Sequence, residues 1–461
     1  MDGPKLFFNG VNGPAGSYLA DPLTLSEVAA LALGETPRPA LRRRLKERLG
    51  GVFLGLPYGS DPKDLAQAGW AVVFHEKELA AVRSALAPLI EHRRRQAGEV
   101  KTRVLSYRAG DDVRSWLTHH GVAWGTVSPE KVPYYLLLVG GPEKIPFDFQ
   151  YLLAVEYAVG RLGFDDPDDY RRYAEGLIAR ETARGGPPTA AFFATRHDRA
   201  TELSDEHLAG PLAAALAAAG VEIASRRGRD ATRDRLAELL HPTYGEAPDL
   251  LFAASHGLGW SPGDSRQEAW QGALLCQDWS PGEKVDEERH LFGAQLLDDG
   301  ARVHGLVAFL FACYGAGTPE RDSYPPRPGA AARRLARRPF LAALPRRLLA
   351  HPGGAALAVI GHVDRAWSYS FAPPAAGPQI QPFVNTLRAL LAGEGVGHAV
   401  RDFRQRYAAL AVEVSRRQDT GRWGPGLPAA AREPLARTWL ERNDAESYVV
   451  LGDPAARLRI S

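Results

Sequence analysis

His256 and Cys313 are the two residues of this 461-residue chain whose type and setting best suit chemistry. Each closes an apolar run and is followed by small residues. Leu250 to Ala254 leads into Ser255-His256-Gly257; Gly305 to Ala312 leads into Cys313, with Gly315 and Gly317 behind it. A thiol attacks as its thiolate, so it needs a base beside it, and imidazole is suited to carrying that proton near neutrality. Backbone N–H groups next to glycine can approach a substrate carbonyl closely and stabilise the oxyanion that forms on it. Gly257 and the amide of Cys313 itself are the candidates for that hole. The set reads as a cysteine hydrolase: Cys313 the nucleophile, His256 the proton carrier, with no obligatory third member, metal or cofactor. His119-His120 is no rival, because it lacks carboxylates or cysteines at ligand spacing.

Both residues must be held by strands. Apolar runs of this length without polar alternation suit strands buried on both faces, as in a parallel sheet. In such sheets chemistry gathers at the carboxyl ends of strands. The surrounding sequence has the matching rhythm: strand Ala190–Thr195, helix Ser204–Ala219, strand Val221–Arg226, helix Ala231–Leu240, then the His256 strand, which implies parallel βαβ units. Ala355–Gly361 and Tyr448–Leu451 read as later strands, and Phe383–Ala392 and Val400–Arg417 as helices. Upstream, Gly69–Phe74, Tyr134–Val139 and Tyr157–Leu162 read as strands. Leu23–Leu49, Glu76–Arg95 and Asp165–Thr182 read as helices, and Ala331–Leu349 as a basic, Pro-interrupted helical stretch. Gly185-Gly186-Pro187-Pro188 is the clearest linker, which divides the chain into a smaller N-terminal α/β subdomain, 1–184, and a catalytic domain, 185–461. The long, Trp-bearing connection Gly259–Gly300 has the length of a lid or binding wall, with Cys276 a small buried hydrophobe inside it.

Composition excludes several classes. Apolar residues make up 45% and charged residues 24%, as in a soluble globular protein. A net charge of +2 and the lack of an aromatic platform argue against a nucleic-acid partner. No apolar run approaches a membrane span, and the opening residues lack the basic and apolar regions of a secretory signal. Two cysteines provide no disulfide framework. A reducing cytoplasm is the expected compartment.

The Ser255-His256-Gly257 and Phe311-Ala312-Cys313-Tyr314-Gly315 segments resemble the caspase-type peptidase clan, which includes caspases, gingipains and bacterial CHAT-domain proteases. Their separation is close to the roughly 50 residues between His and the Gln-Ala-Cys-x-Gly signature of caspases. Phe311 stands where caspases carry Gln, so cleavage after Asp is not implied. Tyr134–Tyr151 and Glu156–Leu162 resemble the strand-loop and Val-Gly-Arg-Leu segment of gingipain-like enzymes, and Tyr448–Leu458 resembles their Leu-Gly-Asp-Pro close. The resemblance implies a caspase-like α/β fold, a central mostly parallel sheet flanked by helices, and an intracellular bacterial endopeptidase acting on a protein or peptide. It also points to a substrate pocket near Glu156, Asp148, Asp364 and Trp367. An acidic floor there would select Arg or Lys at the cleaved position. Restraint as a zymogen is a further expectation. Pro319–Arg347 occupies a place like the caspase intersubunit linker, an upstream protease or signalling protein would be the trigger, and antiviral defence or cell death the setting. The alternative from another class is a catalytically silent caspase-fold interaction or signalling module.

Overall fold

The computed structural model describes residues 56–458 except 58, 184, 243–246, 325–330, 374–376 and 423–428, together with Lys5–Leu6 and Leu23–Thr24. Residues 54–411 with 439–461 form one compact unit. Its centre is a ten-stranded sheet made of β1 (Trp70–His75), β2 (Thr102–Tyr107), β3 (Tyr135–Val139), β4 (Ala158–Leu162), β5 (Thr189–Ala194), β6 (Glu222–Arg227), β7 (Leu250–Ala254), β8 (Val307–Phe311), β9 (Ala358–His362) and β10 (Tyr448–Gly452). Across the sheet the order is β2-β1-β3-β4-β10-β9-β8-β7-β5-β6. Every neighbouring pair is parallel except β9 with β10. Two parallel blocks therefore run in opposite directions and meet at that junction. Strands β1 to β4 precede residue 184 and β5 to β9 follow it, and all hydrogen-bond into the same sheet.

The central strands are built as their sequences require. All five residues of β7 and all five of β8 are buried, with helices on the sheet faces. Phe252 of β7 and Phe309 of β8 lie 5.2 Å apart, and Phe383 from helix Gln381–Leu391 packs on Phe309 at 5.7 Å and on Phe311 at 6.2 Å. Each such buried aromatic contributes about 1.5–3 kcal/mol, so the strands that carry the two tips rest on a well-packed base. Among the described residues no helix is long and apolar enough to cross a membrane.

Several expectations need correction. The helix expected over Glu76–Arg95 is two, Ala80–Ala85 and Ala87–Ala97. Pro88 has no N–H to continue the first ladder and suits the start of the second. The helix placed at Ser204–Ala219 begins earlier, at Arg199, and passes through a π-helical turn, Asp205–Ala209, before Gly210–Ala217. Ala331–Leu349 is helical only over Ala343–Leu349, because Phe340–Leu341 pairs with Gly317–Thr318 instead. Strand Thr102–Tyr107 and helix Val113–His119 were absent from the sequence reading. The helix expected over Leu23–Leu49 lies outside the described residues except Leu23–Thr24, which pairs with Lys5–Leu6 as a short antiparallel ladder in the second unit, 1–53 with 412–438.

Candidate active site

His256 and Cys313 leave the same edge of the sheet from adjacent strands. Register pairs Leu310 with Ala253 and Phe311 with Ala254, and the Ser255 amide continues the ladder by donating to the Phe311 carbonyl at 3.2 Å. Counting on from that register sets His256 opposite Cys313, on strands about 4.8 Å apart. Gly257 closes the gap. A Cβ built on it would fall 1.8 Å from the Cys313 carbonyl oxygen and 2.9 Å from the Cys313 nitrogen. Only glycine permits that approach. Its amide also donates toward the Cys313 sulfur.

The imidazole is oriented by the end of a third strand. The chain leaves β5 through Thr195 to Asp198, which caps the helix Arg199–Ser204 by accepting from the Ala200 and Thr201 amides, with Thr201 completing a capping box. The other carboxylate oxygen, Oδ2, accepts a 2.8 Å hydrogen bond from Nε2 of His256. Burial acts to raise the Asp198 carboxyl, but the Thr201 amide and the His256 contact outweigh it and hold it below the ordinary aspartate value. With its proton on Nε2, neutral His256 carries its lone pair on Nδ1, free to take a proton. The neighbouring His197 ring lies 6.1 Å from that of His256 at 20°.

Cys313 is half-buried, and burial pushes its thiol above the ordinary value. The S–H donates toward the Ala366 carbonyl at 3.9 Å. In this arrangement the thiol is protonated and the imidazole is engaged with Asp198. Two turns flank the thiol. Tyr314 has φ 58° and Asp364 has φ 75°, the two non-glycine residues in the left-handed region among those described. They are joined by the Tyr314 amide donating to the Asp364 carbonyl at 2.7 Å. Non-glycine residues in that region carry strain and concentrate at functional sites. Gly272 supports the Tyr314 turn from behind, where a Cβ would meet the Tyr314 carbonyl oxygen at 2.2 Å.

The four residues expected to line the substrate pocket divide. Trp367 follows Ala366 directly, its ring 5.4 Å from Tyr324 and its amide donating to Asp444 at 3.0 Å, so it stands one residue from the thiol contact. Its indole N–H has no partner among the described residues. Asp364 is in the same loop but buried. Its carboxylate accepts from the amides of Ser323 at 3.1 Å and Arg365 at 2.8 Å, and burial raises it above the ordinary aspartate value. Glu156 lies just before β4 on the cysteine edge of the sheet, with β10 and β9 between that strand and β8. It is buried, with Oε1 accepting from the Gly125 amide at 3.1 Å. Asp148 is exposed in the first turn of helix Phe147–Leu153. Trp367 and Asp364 thus share the loop whose Ala366 carbonyl meets the thiol, whereas Glu156 is held by Gly125 and Asp148 is exposed on its helix.

Sequence reading missed Asp198, His197 and Asp444. Asp198 carried one signal, an acid three residues before Thr201 at a helix start, but the expected helix began at Ser204 and hid it. Asp444 is fully buried. It anchors Trp367 and Ser370, and burial raises its carboxyl to about 6 despite Arg406 and those hydrogen bonds. Cys276 is buried as expected. Among the described residues no group of three side chains is arranged to hold a metal ion.

No family model matches the chain, and no curated protein matches it. Two solved structures are similar in outline. One is the complex of the Porphyromonas gingivalis RgpB pro- and mature domains, at 12% identity and TM-score 0.47, covering 85% of this chain and 80% of that one. The other, titled "Structure of Protease", has 10% identity and TM-score 0.46, covering 86% of this chain and 80% of that one.

Proposed function

We propose that this chain is a cysteine endopeptidase of the caspase-like kind, with Cys313 and His256 as its catalytic pair. The observation that carries the reading is the junction of strand tips: Gly257 lies against the Cys313 backbone, while the adjoining imidazole is oriented by Asp198. Substrate binding displaces the Ala366 contact, and Nδ1 of His256 takes the thiol proton. The thiolate attacks the scissile carbonyl, and the amides of Gly257 and Cys313 receive the developing oxyanion. The imidazolium, stabilised by Asp198, protonates the leaving amine. Water, deprotonated by the same imidazole, then hydrolyses the thioester. Because burial disfavours a resting thiolate, attack depends on this transfer rather than on a pre-formed anion.

Preference for Arg or Lys at the cleaved position is the finer reading. Beside the thiol, Asp322 and Asp364 stand against Arg365, which pairs with both. One net negative charge there favours a basic side chain. Processing in 319–347 by an upstream protease, and a place in antiviral defence or cell death, follow from the resemblance of the motifs. An intact chain in mass spectra of active protein argues against processing.

The test is peptide cleavage by wild type and Cys313→Ala. Cleavage of Arg reporters ahead of Asp reporters, lost in the variant with its melting temperature unchanged, is the expected result; full activity in Cys313→Ala ends the proposal. A second reading, a catalytically silent interaction module, draws on the protonated, Ala366-bound thiol. A folded wild type inert toward all reporters favours it.

A further inference from the structure

The long connection between β7 and β8 is tied to the loop that orients the base. Its short helices, Gln267–Trp270 and Glu287–His290, and its hairpin, Leu274–Leu275 with Leu291–Phe292, surround a small apolar cluster of their own. From that cluster the segment Cys276–Trp279 reaches back to residues 196–197. The Gln277 side chain grips the Arg196 backbone at both ends: Oε1 accepts from the Arg196 amide at 2.6 Å and Nε2 donates to the Arg196 carbonyl at 3.2 Å. The Cys276 carbonyl lies 3.0 Å from Nε2 of His197. The Trp279 ring meets the His197 ring edge-on at 5.3 Å and 71°, and is itself fixed by its indole N–H donating to the Glu283 carbonyl at 2.8 Å.

These contacts determine the state of His197. A carbonyl can only accept, so Nε2 of His197 carries the proton. Its Nδ1 is buried and has no partner among the described residues. A second proton there would be an unsatisfied buried donor, which is costly; burial likewise lowers His197 below the ordinary histidine value. His197 is therefore a neutral ring of fixed tautomer, nearly parallel to His256 and adjoining Asp198, the acceptor for the His256 Nε2–H.

We propose that His197 is a positioning residue for the catalytic imidazole, and that through it and Gln277 the 259–300 connection determines whether His256 is aligned. The proposal rests on the peptidase reading given above. His197 touches neither the thiol nor a substrate in this scheme. It fixes the plane of His256, while the clasp on Arg196 fixes the position of Asp198. Seating or loosening the connection would change the rate of proton transfer and leave peptide binding unchanged. That makes it a control point for activity, lying outside the substrate pocket.

The experiment compares full-length wild type with His197→Ala, His197→Phe and Gln277→Ala. It measures kcat and KM on a cleaved peptide reporter, melting temperature, and the His256 tautomer by NMR of ring-15N histidine. A displacement of about 1 Å at a reacting group costs about 10²-fold in rate. His197→Ala is expected to lose kcat on that scale with KM near wild type, and to lose the single Nε2–H tautomer of His256. His197→Phe, which keeps a flat ring, should recover part of the rate. Gln277→Ala, a change at a surface amide, should lose kcat in the same direction. Wild-type kcat in both His197→Ala and Gln277→Ala overturns the proposal. So does a loss that appears only in KM or melting temperature with the His256 signals unmoved, since that marks a structural role. If wild type cleaves nothing, the peptidase reading fails, and the tautomer measurement still decides whether His197 positions His256.

Discussion

Replacing Gly257 by alanine is a one-methyl test of how closely the two strand tips must meet. The added carbon would fall 1.8 Å from the Cys313 carbonyl oxygen, 2.8 Å from its carbon and 2.9 Å from its nitrogen. Carbon–oxygen contacts normally rest near 3.3–3.6 Å, so about 1.5 Å of separation must be found. All three obstructing atoms are backbone, and no rotamer change relieves them. The strands beneath are buried and paired residue by residue, so they cannot slide. The turn carrying Cys313 has to move instead. A shift of that size should lower kcat about 10²-fold, while the local overpacking costs about 1–3 kcal/mol of stability. The assay pairs steady-state cleavage with thermal melting, using Gly186→Ala, where nothing lies within 4 Å of the new Cβ, as a silent control. Wild-type kcat in Gly257→Ala would refute the reasoning, because it would show that the His256 and Cys313 turns need not touch.

Three further outcomes follow from the same structure. Asp198→Asn should lower kcat by at least about 10-fold with little change in KM, since an amide can present its NH2 to His256 and favour the wrong tautomer; an unchanged kcat separates Asp198 from the chemistry. Asp453 accepts from Trp70 at 2.9 Å, Arg93 at 2.7 Å and the Ala455 amide at 3.0 Å, so Asp453→Ala leaves the buried Arg93 half-paired and should cost about 3–5 kcal/mol in denaturant unfolding. Asp444 titrates near 6 in the fold against an ordinary 3.8. The native state thus binds a proton across that window that the unfolded state releases, and stability falls as pH rises through it. Asp444→Asn should be more stable than wild type at about pH 8, and that advantage should vanish below about pH 4; a pH-independent difference contradicts the assignment.

The parts of this structure that could be anticipated are those with local signatures. Leu250–Ala254 and Val307–Phe311 announce buried strands by unbroken apolar sequence, and the glycines behind His256 and Cys313 mark close backbone approach. The His256–Asp198 contact could not be anticipated in that way. It depends on β5 lying beside β7, an adjacency set by sheet order, while Asp198 itself looks like any helix cap. The expected acidic residues were legible only as a segment of chain, not as a set of contacts. Segment resemblance points to Glu156, Asp148 and Asp364 alike, and only the fold reveals that Glu156 accepts from Gly125, Asp148 is exposed on a helix, and Asp364 is buried, accepting from the Ser323 and Arg365 amides. Helix ends were misplaced where pairing elsewhere prevailed over local preference, as at Phe340–Leu341.

The most direct test of the central claim needs no substrate. It follows alkylation of Cys313 by iodoacetamide across pH, by mass spectrometry, in wild type and His256→Ala. If His256 takes the proton of that thiol as the sulfur is attacked, Cys313 is alkylated faster at neutral pH in wild type than in His256→Ala, and ahead of the buried Cys276, although its thiol rests protonated. Identical Cys313 profiles in the two proteins would mean that the imidazole and the sulfur do not act together.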